Sequence, residues 1–112
     1  MKLAIIGSRT FTDYELLKEH VSKIDNITEI ISGGASGADK LGARYAQENN
    51  IVLTEFFPNW KVFGKQAGFI RNRDIIANCD SAIAFWDGKS KGTKNSIELA
   101  YKMKKSIKII GF

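Results

Sequence analysis

The sequence is poor in the residues that cross-link chains or hold metals. Cys79 is the only cysteine and His20 the only histidine among 112 residues. One cysteine closes no disulfide within a chain, and these two residues are too few for a zinc site. Neither a metal nor a cofactor is expected. Proline is nearly missing too. Pro58 stands alone, and no Pro-rich linker, repeat or low-complexity segment interrupts the chain. Long hydrophobic runs are also lacking. At the start, residues 3–6 are apolar but Gly7 and Arg9 follow, too short a run for a signal peptide or a membrane span. These absences lead to the expectation of a cytoplasmic protein with no membrane partner.

What remains is an ordinary globular composition, 44% hydrophobic and 26% charged, in a length suited to one domain spanning residues 1–112. Seventeen Lys and Arg against twelve Asp and Glu leave a net charge of +5. That balance favours anionic partners such as nucleotides or nucleic acids. Part of the excess lies in "KMKKSIK" near the C-terminus, which reads equally as the solvated end of a helix.

Apolar runs alternate with stretches of helical period. Strands are predicted at 3–6, 29–32, 52–57, 81–86 and 106–110, and helices at about 13–24, 37–49, 64–78 and 94–104. This alternation predicts an α/β fold, a single Rossmann-like domain of three layers. Its five-stranded sheet should be mostly parallel, in the order 3-2-1-4-5. Capping boxes are expected at residues 12–15, "TDYE", and at residues 36–39, "SGAD", with Ser36 as N-cap and Asp39 as its reciprocal partner.

The unusual residues collect after the predicted strands, at what would be the carboxyl edge of the sheet. Ligands of open α/β sheets bind at that edge, where the strand order reverses. "GSR" follows the first strand, "SGGASG" the second, "FPNW" the third and "DGKSKGT" the fourth. A glycine-rich turn entering a helix exposes backbone N–H groups that suit phosphate or carboxylate, and a side chain at Gly33 or Gly34 would block the approach. "KGT" at residues 91–93 repeats the arrangement, with Arg9 between the two. Familiar nucleotide motifs fail. "GSRTFT" is not G-x-G-x-x-G, and the glycine a Walker A sequence would need falls at Ile83.

In "FGKQAGFIRNRDII", Arg71 could form a surface pair with Asp74 at i, i+3, or reach over the sheet edge to a phosphate, beside Asn72. Trp60 and Trp86 could stack on a base or belong to the core or an interface.

Taken together, "GSRTFTD", "ISGGASGAD", "FPNW", "AGFIRNRDII" and "FWDGKSKGT" resemble the YspA, cpYpsA-related branch of the SLOG superfamily. The Lonely Guy phosphoribohydrolases and the DNA-processing protein A family belong to the same superfamily. The resemblance implies a Rossmann-like fold that binds nucleotides or their derivatives. It maps a ligand site onto Gly7, Ser8, Arg9, Ser32, Gly33, Gly34, Ser36, Gly37, Asp39, Arg71, Asn72, Asp87, Gly92 and Thr93. Small members are common in bacteria and phages, some serve as sensors of nucleotide-derived signals, and relatives usually form homo-oligomers. The hydrophobic "FPNWKVFG" could supply such a contact.

Phosphoribohydrolase relatives carry G-G-x-G-T-x-x-E, whose glutamate drives cleavage of the N-glycosidic bond. Here the third residue after Thr93 is Ser96. Glu98, two positions on, is turned to nearly the opposite face of a helix, and reads equally as a first-turn partner of Asn95. The expectation is therefore a module that binds a nucleotide-derived molecule as sensor or sequestering protein. One alternative is an N-glycosidic hydrolase, for which Asp39, Asp87 and Glu98 are the available carboxylates and Asp87 and Glu98 the catalytic candidates. Another is a single-stranded DNA binder, which would want a continuous basic groove with stacking aromatics.

Overall fold

The computed structural model describes all residues, 1–112. Five strands form one sheet: β1 (Lys2–Gly7), β2 (Glu29–Ser32), β3 (Val52–Glu55), β4 (Ser81–Trp86) and β5 (Ser106–Gly111). Their order is β3-β2-β1-β4-β5 and every pairing is parallel. The central strands β1 and β4 carry four successive buried residues each, as strands covered on both faces require.

Five helices make the outer layers: α1 (Tyr14–Val21), α2 (Ala38–Glu48), α3 (Trp60–Phe63), α4 (Ala67–Asn78) and α5 (Lys91–Lys102). The sheet has a buried cluster on each side. Leu3, Ile5, Ile30, Ile83 and Phe85 meet Phe11, Leu17 and Tyr45 from α1, α2 and the loop before α1. Ala4, Ile6, Ile31 and Ala84 meet Ile75, Ile76 and Ile97 from α4 and α5. Successive strand residues point to opposite faces, so one apolar strand feeds both clusters.

Three helix caps differ from the sequence reading. The α1 cap is Asp13, whose carboxylate accepts from the Leu16 N–H at 3.1 Å, so the capping pattern sits one residue beyond Thr12. At α2 the cap position is Gly37, at φ 78°, and no side chain caps it. Ser36 is exposed, and the Asp39 carboxylate turns back to the Ala35 N–H at 3.1 Å. At α5 the cap is Ser90, accepting from the Thr93 N–H at 3.3 Å, so Asn95 lies inside the helix and caps nothing. Strand β3 ends at Glu55, short of the predicted 57, and Asn59 caps the short α3 in a stretch where no helix is predicted.

Candidate functional site

The switch point of the sheet lies between β1 and β4, and a cleft opens there at the carboxyl edge. It encloses about 90 Å³. Drug-sized ligand pockets run to several hundred Å³, so this one has room only for a group the size of a phosphate. Its walls are Ile6 and Gly7 from β1, Arg9 after it, Ala35 and Asp39 at the start of α2, Arg71, Asn72 and Ile75 from α4, and Ser90, Gly92, Thr93 and Ser96 at the start of α5.

Arg71 is held from two sides. Its Nη1 donates to the Gly33 carbonyl at 2.7 Å and its Nε to Asn72 Oδ1 at 3.0 Å, leaving Nη2 with no partner in the chain. Partial burial of the guanidinium lowers its pKa. No ion pair with Asp74 forms, the chain's two being Lys23–Glu19 and Arg44–Glu48. Asn72 Nδ2 reaches Asn95 Oδ1 at 3.3 Å and the Gly92 carbonyl at 3.4 Å, tying α4 to the start of α5. At that start the Lys91 and Gly92 amides have no intrachain acceptor. These are the donors that a helix N-terminus offers to an anion.

Asp39 is the cleft's one carboxylate, and the residue is only 7% exposed. Burial pushes its pKa up to about 6, against the opposing pull of the Ala35 N–H and of Arg71 and Arg9. Its single hydrogen bond falls on Oδ2, leaving Oδ1 without a partner.

Seven of the sequence-predicted residues therefore meet here: Gly7, Arg9, Asp39, Arg71, Asn72, Gly92 and Thr93. The others shape the loops behind the cleft. Buried Ser8 accepts the Asp87 N–H on its Oγ at 3.2 Å, and buried Ser32 donates to the Asp39 carbonyl at 3.2 Å. Each glycine of the turn makes room for the chain itself. A Cβ at Gly33 would lie 2.7 Å from Arg71 Nη1 and 2.8 Å from Asp39 Oδ2. Gly34, at φ 71°, lies under the Phe57 ring, and Gly37 lies against the Ser8 and Arg9 carbonyls. So the helix start at α2 is largely occupied by internal partners. Ser36 points to solvent.

Of the three carboxylates weighed for hydrolysis only Asp39 lines the cleft, and the catalytic candidates Asp87 and Glu98 lie outside its lining. Asp87 Oδ1 accepts the N–H groups of Lys89 and Ser90, both at 2.8 Å, which lowers its pKa and folds the loop into α5. Glu98 is on the exposed face of α5, while Ser96, two residues earlier, faces the cleft. Sequence reasoning missed Ala35, Ser90 and the apolar floor of Ile6 and Ile75. Ser90 had a signal, a serine three residues before Thr93 at a helix start. Trp86 is no free platform, because its Nε1 donates to the Ser90 carbonyl at 3.1 Å. Trp60 is 56% exposed.

An all-parallel doubly wound sheet, with its polar groups gathered at the switch point, defines the class. A family model of the YspA, cpYpsA-related SLOG family matches residues 1–63, more than half of the chain. The chain belongs to that family. Two solved structures share its fold. DNA processing protein A from Streptococcus pneumoniae superposes with a TM-score of 0.83 at 20% identity, over 99% of this chain and 50% of that one. DNA processing protein A from Helicobacter pylori, described for its unique single-stranded DNA binding mode, gives 0.73 at 30% identity, over 97% of this chain and 64% of that one. The chain thus spans about half to two thirds of the length of these proteins. No curated protein matches it. No helix is long and apolar enough to cross a membrane.

Proposed function

We propose that the chain binds a nucleotide or nucleotide-derived small molecule through its phosphate, as a sensor or sequestering module of the cytoplasm. The observation that carries this reading is the convergence of Arg9, Arg71 and the unpartnered amide of Gly92 at one cleft. A guanidinium fork and a helix N-terminus are both matched to phosphate geometry. The cleft's size supports contact with one phosphate, the nucleoside extending over the rim. In this reading Gly7, Arg9, Arg71, Asn72, Gly92 and Thr93 touch the ligand, and Ser8, Ser32, Gly33, Gly34, Gly37 and Asp87 hold the loops that carry them. Copies of the chain associate through the exposed segment around Trp60.

A hydrolase on the phosphoribohydrolase pattern is less well supported. Ser96 stands where that motif has its carboxylate, and only Asp39 lines the cleft as an acid. Single-stranded DNA is the second reading, and one surface favours it. Phe57, Trp60, Phe63 and Phe69 are exposed among Lys61, Lys65 and Arg73, a mixture that suits stacked bases and a phosphate backbone.

Native mass spectrometry against a mixture of nucleoside mono-, di- and triphosphates, with product analysis, separates the three. An intact nucleotide retained by the wild type and lost in Arg71→Ala supports the module. Free base in the products, absent with Asp39→Asn, supports hydrolysis instead. Retention of an oligothymidylate but of no mononucleotide moves the function to the aromatic surface.

A further inference from the structure

The Asp39 carboxylate is out of place in a cleft built for an anion. Two arginines face it, Arg71 from α4 and Arg9 from the loop after β1, while Glu55 at the end of β3 is the acidic neighbour. No guanidinium closes on it as an ion pair. Nine-tenths buried, lining the cleft and with no intrachain hydrogen bond to Oδ1, it has spare hydrogen-bonding capacity beside the place where a bound oxyanion would sit.

An ionised carboxylate beside a phosphate dianion is repelled, and desolvation magnifies the repulsion. The protonated acid reverses this, since its O–H donates to a phosphate oxygen. We propose that Asp39 enters the complex as the neutral acid and hydrogen-bonds the oxyanion, so that the site takes up one proton with each phosphate group it binds. The proton comes from solvent and rests between an Asp39 oxygen and the ligand oxygen, with no bond to the ligand made or broken. Burial prepares the group by bringing its midpoint to about 6, within reach of neutral solution. Linkage then works in both directions: acid strengthens binding, and ligand raises the affinity of Asp39 for its proton. Occupancy of the site thus reports pH as well as ligand concentration.

The inference rests on the cleft being a phosphate site, and inorganic sulfate tests both statements. Sulfate stays a dianion from about pH 5 to pH 8, so any pH dependence belongs to the protein, whose one histidine is on α1. Sulfate affinity, read from amide shifts of labelled protein, should fall about tenfold per unit of pH above the Asp39 midpoint. The Asp39 carboxyl carbon should titrate at higher pH with sulfate than without it. In Asp39→Asn, whose amide donates a hydrogen bond at every pH, the dependence should vanish and binding persist at pH 8. Should that variant fold poorly, the carboxyl titration of the wild type decides alone. Binding of equal strength across the range, or an unmoved carboxyl midpoint, overturns the inference and leaves the phosphate site standing. No sulfate shifts at pH 5 in the cleft residues remove the phosphate site and the inference together.

Discussion

A single guanidinium does three tasks at once in this cleft. Arg71 fastens the Gly33 loop through Nη1, steadies Asn72 through Nε and, in the proposed function, offers the unpartnered Nη2 to the ligand. Lysine has one ammonium and cannot span these positions. Arg71→Ala should therefore weaken phosphate binding by about 1.5–3 kcal/mol, roughly ten- to hundredfold in Kd, and Arg71→Lys should recover little of it. Calorimetric titration with the nucleotide identified by mass spectrometry checks this. Asp39 makes a second prediction at the same scale. Its pKa is raised from 3.8 to about 6 in the folded chain, so the folded state holds a proton that the unfolded chain releases at lower pH. Stability is consequently lost as pH rises from about 4 to 6, and the deficit persists at neutral pH, where it is on the order of 3 kcal/mol at most. Asp39→Asn should be the more stable protein at pH 8 and show no advantage at pH 3.5. Urea denaturation at the two values measures the difference. A gain of equal size at both would mean that ionisation is not its source.

Among the elements, α5 owes its start to one side chain. Ser90→Ala removes the bond to the Thr93 N–H and should cost about 1 kcal/mol of stability. It should also weaken ligand binding, because that turn holds the free amide of Gly92 at the cleft. The glycine-rich turn before α2 behaves differently from what its composition suggests. Gly34→Val would press on the Phe57 ring and force a branched side chain to a positive φ, so it should lower the melting temperature as well as any affinity. Helices and strands were legible in the sequence because their apolar periods answer to burial on two faces of one sheet. Strand order and the gathering of polar loops at one edge followed from the same pattern. What could not be read was the direction of each loop residue. Ser36 and Asn95 have good capping chemistry, yet Gly37 and Ser90 take the cap positions, because contacts with Ser8 and Asp87 decide where each helix begins. Asp39 showed in the sequence as a capping residue, and its burial beside Arg71 is a product of tertiary packing.

At the scale of the molecule, charge and exposed aromatics raise the same question of partners. Trp60 and Phe63 sit on a four-residue helix with no buried residue of its own, a large apolar surface to leave in water. Light scattering should find an assembly of copies that Trp60→Ser with Phe63→Ser reduces toward the monomer. With nucleotide binding retained in that variant, assembly and ligand would use separate surfaces. Should the same pair of changes abolish oligonucleotide binding instead, with an affinity that falls steeply in salt, the aromatic face is a nucleic-acid platform. The most direct measurement is the map of backbone amide shifts as a nucleoside monophosphate is added to the labelled protein. The largest shifts should fall at Arg9, Ala35, Gly92 and Thr93 and shrink in Arg71→Ala. Shifts confined to residues 57–69, with the cleft amides unmoved, would contradict the phosphate site at the switch point.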